Sequence, residues 1–185
     1  MDRNKALELL KANLKNENLV KHCLASEAVL RALAARLGAD SELWGLAGLL
    51  HDIDVELTAG DLKRHTLEAE KILKENGLPE ELVEAVKLHN EAAHGGLRRS
   101  SAFHRALAAG ETITGLITAT ALVYPDRKLA SVKLSSVTKR MKDKRFAASV
   151  DRSIILECEA LGLTLDEFAG LALGAMLAVA PELGL

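Results

Sequence analysis

Leu43-Trp44-Gly45-Leu46-Ala47-Gly48-Leu49-Leu50-His51-Asp52-Ile53-Asp54 is a run of apolar and small residues that stops on an imidazole beside a carboxylate. Asp40 or Ser41 can cap it, so the run reads as a helix that delivers His51 and Asp52 at its C-terminal end. Neighbours on a regular helix project about 100° apart. The two side chains therefore converge most readily where the helix ends, and an imidazole next to a carboxylate is a place to hold a metal. Alone, the pair is commonplace on solvated surfaces. Its company raises it: His22 upstream, and His65, His89 and Glu111 downstream, each in or at the edge of a segment with helical periodicity.

Outward from that run, the chain keeps reading as helix. Leu7, Leu10 and Leu14 mark one over 4–15, and a second amphipathic run covers 19–37, with Gly38 placed to end it. Residues 53–60 read as a loop, Asp61 as the cap of a helix to Asn76, and Pro79 as the first turn of another reaching His89. After a loop with Gly95 and Gly96, a long Ala-rich helix over 101–123 carries Glu111, and Pro125 bars its continuation. A basic stretch over 133–152 precedes two apolar helices, the last opened by a capping box of Thr164 with Glu167 and a staple of Leu163 with Phe168. No alternating run argues for a sheet. The expectation is an all-α, single-domain helical bundle over 1–185, with the metal-site core at about 19–124 and a helical extension at 125–185.

Composition narrows the function. The 185 residues are 49% hydrophobic but only 3% aromatic, so Leu, Ala, Val and Ile must build one core. A net charge of -2 gives no general attraction to nucleic acid or an anionic membrane. The most apolar stretch, Phe168 to Ala180, is shorter than the roughly 20 residues that span a bilayer. It reads as a core helix, and also as a face on which copies of the chain can associate. Cys23 and Cys158 are too few for a disulfide framework, which fits a reducing, cytoplasmic setting. No glycine-rich phosphate loop and no Ser or Cys triad signature is present.

Each candidate ligand also has a plain alternative. His22 suits a hydrogen-bonded core histidine, Asp52 a helix terminator, His65 a charged surface, and His89 the favourable C-terminal end of a helix dipole. Glu111, between Gly110 and Thr112 on an apolar helix, needs a partner if buried.

The ordered set resembles the HD superfamily of metal-dependent phosphohydrolases, in the variant with extra histidines between the His-Asp pair and the last acid. The resemblance implies one divalent ion at His22, His51 and Asp52, closed by Glu111 where the family usually has aspartate. It implies a second ion at His65 and His89, with Asn90 standing where two-metal members often carry another histidine. The ions, one or two, would be Mn, Fe, Co, Ni, Zn or Mg, and the reaction the hydrolysis of a phosphate ester or anhydride by a metal-activated water. A nucleotide or another small phosphorylated metabolite is the expected substrate. Asp52 is the expected bridge between the ions, with Asp54 and Glu56 as candidates for handling the water or the leaving-group proton. Arg98, Arg99, Lys133 and Arg145 are the candidate phosphate-binding cations. The rival expectation is a non-catalytic helical protein with a structural or degenerate metal site that binds a partner.

Overall fold

A computed structural model describes residues 1–185, and every regular element is helical. In chain order the α-helices are α1 (Arg3–Asn13), α2 (Glu17–Leu37), α3 (Ser41–Leu50), α4 (Leu67–Glu75) and α5 (Glu80–His89). They continue as α6 (Ala102–Leu122), α7 (Leu134–Arg140), α8 (Arg152–Ile155), α9 (Leu165–Ala178) and α10 (Ala180–Leu183). Side-chain caps explain where most of them begin. The carboxylate of Asp40 accepts the Glu42 and Leu43 amides at the start of α3, and Ser101 and Thr164 each complete a capping box, on α6 and α9.

The two 21-residue helices, α2 and α6, form the centre. α3 and α9 pack on α2, and α5 packs on α6. A contiguous core of 42 residues runs through all these contacts, and Leu, Ala, Val and Ile make up most of it. Close approach depends on two glycines. A Cβ on Gly48 would stand 2.7 Å from the Ser26 carbonyl oxygen, and one on Gly110 would stand 2.6 Å from a Leu30 methyl. α3 and α6 therefore press directly on α2, one turn away from His22 and His51 on one side and next to Glu111 on the other.

The sequence expectation differs from the structure in two places. The helix expected from Asp61 begins only at Leu67, because 51–66 is a succession of turns and Thr66 takes a left-handed φ of 77°. The helix expected before α9 breaks into the single turn of α8 and a 3-10 segment over Leu156–Leu161. In the basic stretch, the Arg152 guanidinium donates to the carbonyls of Asp143, Phe146, Ala147 and Val150, winding 141–150 into turns. The apolar face of α9 lies in the core through Phe168, Ala169, Ala172, Leu173 and Met176. No single helix is long and apolar enough to cross a membrane.

Candidate metal centre

Three helices and one irregular segment bring the histidines together. His22 comes from the second turn of α2, His51 from the C-cap of α3, and His89 from the last residue of α5. His65 comes from the turns ahead of α4. The Nε2 atoms pair: His22 to His51 at 3.1 Å, and His65 to His89 at 3.0 Å.

Each ring is also held from behind at Nδ1. His51 donates to the Gly48 carbonyl at 2.9 Å, His89 to the Val86 carbonyl, and His65 to the Asp54 carboxylate at 2.7 Å. The Thr114 hydroxyl gives its hydrogen to the Glu111 carbonyl at 2.7 Å, so it accepts from His22 Nδ1 at 3.0 Å. With all four Nδ1 atoms acting as donors, a neutral ring presents its bare Nε2 lone pair to the centre. Lone pairs 3 Å apart repel unless a proton or a cation lies between them. Anchoring Nδ1 on a carbonyl or carboxylate is also how metal-binding histidines are usually fixed.

Asp52 lies between the two pairs and faces a different one with each oxygen. Oδ2 is 3.6 Å from His22 and 3.5 Å from His51, while Oδ1 is 3.3 Å from His65 and 3.6 Å from His89. Two triads result, His22–His51–Asp52 and Asp52–His65–His89. Ligands about 2.1 Å from a transition metal lie roughly 3.0–3.4 Å apart in octahedral or tetrahedral arrangements, close to these separations. The donor set thus fits one borderline divalent ion in each triad.

The electrostatics depend on burial. Burial pushes the His22 imidazole down, and it pushes His51 down to about 3, Asp52 only partly opposing it. Burial works against the Asp52 charge as well, but the surrounding imidazoles prevail and hold its carboxyl well below the usual range. At His65 burial favours the neutral ring, yet hydrogen bonds to Asp52 and Asp54 win and raise it to about 9. Glu111 stands at the edge, with Oε2 3.7 Å from His22 Nε2 and outside both triads. Burial, reinforced by Asp52, raises it to about 8 against a hydrogen bond from Thr112.

The candidate acids and cations fall elsewhere. Asp54 is fully buried and turned away from the cavity: besides His65 it accepts the Thr66 and Ala69 amides at 2.8 and 2.9 Å. It positions His65 and has no free oxygen for water or a leaving group. Glu56 accepts the Lys15 and Asn16 amides at 3.0 and 2.7 Å, which makes it a clasp on the turn before α2. Arg98 is exposed and paired with Glu91. Arg99 is nearly enclosed, forked onto Glu157, and donates to the Leu88 and His89 carbonyls, so it braces the end of α5. Lys133 and Arg145 are solvent-exposed and do not line the cavity at the histidines. The expected cluster of phosphate-binding cations does not assemble there, because the arginine nearest the site already serves the backbone.

The cavity over the cluster measures about 430 Å³. Its far wall is Ser149, Val150, Asp151 and Ile154, from a region that carries no recognisable motif in the sequence. Asn90 donates to the Leu62 and His65 carbonyls, tying down the turns that hold His65. Thr114 was equally unmarked, although its spacing of three from Glu111 put it on the same helical face.

An all-α bundle that gathers four back-anchored imidazoles around one carboxylate defines a class, helical proteins whose core carries a His/Asp cluster that could hold divalent metal. The model of the HD domain family matches residues 19–121, more than half of the chain, and the chain belongs to that family. HD domains typically bind divalent metals and are commonly metal-dependent hydrolases. No curated protein and no solved structure matches the chain.

Proposed function

We propose that the protein is a phosphohydrolase that holds two divalent ions, one at His22, His51 and Asp52 and one at Asp52, His65 and His89, and cleaves a phosphate ester or anhydride of a nucleotide or other small phosphorylated metabolite. The observation that carries this reading is the pair of close Nε2···Nε2 approaches on opposite sides of Asp52, each facing its own oxygen. Ions held there supply Lewis-acid polarisation of a phosphoryl oxygen and lower the pKa of water.

The chain's own residues do the rest. Asp52 spaces the two triads. Asp54, Gly48, Val86 and Thr114 keep the four rings from turning. Glu111 on α6, 3.7 Å from His22, is the residue that would complete the first site, and it would have to lose its proton to do so. No lysine or arginine lines this cavity, so the chain itself would offer a phosphate there no side-chain ammonium or guanidinium.

The test is direct. Metal content of the purified chain is measured, and hydrolysis of a nucleotide and phosphoester panel is screened with added Mn, Mg, Co and Zn. Turnover that vanishes in a folded Asp52→Ala variant supports the reading. A chain that binds no metal under any of these conditions refutes it, and tight binding without turnover, with unfolding on removal, makes the site structural.

A further inference from the structure

A second cavity of about 500 Å³ opens between α2, α6 and a third wall of Leu183, Gly184 and Leu185, and shares His22 and Gly115 with the one over the cluster. The two cavities adjoin at these shared residues. Both fall within the roughly 300–1,000 Å³ usual for small-molecule sites. The second cavity has a different lining: Ala25, Ala119 and Leu122 make it apolar, Asn18 and Thr118 add hydrogen-bonding groups, and Lys21 is its one cation. No acidic side chain lines it.

Lys21 is half-buried, with its Nζ folded against Gly184. Like the side chains of Lys11, Lys63 and the lysines of the basic stretch, that of Lys21 has no salt bridge or hydrogen bond; unlike them it stands in a cavity that reaches a histidine of the cluster, His22. An ammonium with no carboxylate already on it is free to meet an anion brought into the cavity. The cluster next door is where a phosphate would sit. Neither cavity is lined by Phe, Tyr or Trp, so aliphatic contact and hydrogen bonds, not ring stacking, would hold an organic group.

We infer that the α2–α6 cavity receives the organic part of the substrate and that Lys21 binds a second anionic group on it, a phosphate or a carboxylate. The inference rests on the phosphohydrolase reading, since it places the reacting phosphate at the histidine cluster. It selects phosphate esters with an extended organic group and a distal anion over short monoesters.

Calorimetric titration of the Mn-loaded full chain with non-hydrolysable phosphonates tests it. The ligands are propylphosphonate, hexylphosphonate, and the carboxylated phosphonohexanoate and phosphonooctanoate. The best carboxylated ligand is expected to bind about tenfold tighter than hexylphosphonate, the size of one partly screened ion pair. Lys21→Gln should erase that difference and leave hexylphosphonate unchanged. Ala119→Leu, or Leu122→Trp on the half-exposed rim, should weaken all the long ligands and spare propylphosphonate, with Mn binding and melting as in wild type. Long ligands that bind wild type no better than propylphosphonate, or that bind Lys21→Gln and both cavity variants as they bind wild type, overturn the inference. Failure of the underlying reading looks different: propylphosphonate would then bind equally with and without Mn.

Discussion

The two triads share one carboxylate and use the same ring nitrogen, yet they are mounted in unlike ways. His22 and His51 stand on α2 and at the end of α3, held by a threonine hydroxyl and a backbone carbonyl that the helices supply. His65 stands on irregular turns and is held by Asp54, a buried acid that also collects two backbone amides. The first half depends on helix packing. The second has one ring, His89, on a helix end and held by the Val86 carbonyl, but depends for the other on a single side chain that organises a loop, so one substitution can undo it.

The largest effect is expected at the residue the halves have in common. Asp52→Ala removes a ligand from both, so metal content should fall toward zero and hydrolysis by roughly 10³-fold or more, the loss of several kcal/mol of charge stabilisation. Elemental analysis on the folded variant checks it. A full metal complement in Asp52→Ala would show that the halves do not share this residue.

Next come changes that should separate the halves. His65→Ala and His89→Ala are each expected to lower the stoichiometry from two ions to one and to leave the His22–His51 half occupied. Asp54→Asn should do so less directly. An amide oxygen cannot replace a carboxylate for three buried donors, so folding stability should drop by about 2–4 kcal/mol, with a 10–100-fold weaker second ion. Denaturant titration and metal competition measure the two effects. Equal weakening of both ions would mean that the loop and the helices are one mechanical unit.

The same contrast decides what could be read in the sequence. The helical spacing of apolar residues placed α2, α3, α5 and α6, and with them His22, His51, His89 and Glu111, because each ligand has a fixed position on a periodic element. The placement of Asp52 between the two histidine pairs also followed, since a residue just past a helix end is free to face both sides. Asp54 was read as a water- or proton-handling acid, because nothing in local sequence reveals that its partners lie 11 to 15 residues later, in a segment with a left-handed Thr66. Arg99 was read as a phosphate ligand for a similar reason: its partner Glu157 is 58 residues away. Lys21 carries no signal in the sequence, because what a cation lies beside is set by the fold.

A subtler difference between the halves is their dependence on pH. In the metal-free protein His65 is raised to about 9 and Glu111 to about 8, while His51 is lowered to about 3. A folded-state pKa above the unfolded value gives stability that is full below the unfolded pKa and is lost as pH rises through the folded one. For His65 that window runs from about 6.5 to about 9, and for Glu111 from 4.5 to about 8. His51 has the opposite sign: its contribution is present above 6.5 and lost as pH falls toward 3. Metal-free protein should therefore lose stability between pH 7 and 9. Metal affinity should gain in the same interval, the second ion up to pH 9 and the first levelling near 8. A second-ion affinity that is flat from pH 7 to 9 would show that His65 carries no proton to displace.

The smallest expected effect marks where the site ends. Glu56 lies two residues past Asp54 in the same turns, but its carboxylate reaches back across the molecule to the Lys15 and Asn16 amides, just ahead of α2. Glu56→Gln keeps one acceptor for those amides and removes a charge that no ligand of either triad contacts. Hydrolysis should stay within about twofold of wild type, and the unfolding midpoint should fall only slightly. Activity assays beside thermal melts give the comparison with Asp54→Asn. If Glu56→Gln instead lowers turnover as severely as Asp54→Asn does, the 51–66 turns act as a single catalytic loop, and Asp54 is not what sets the second half apart.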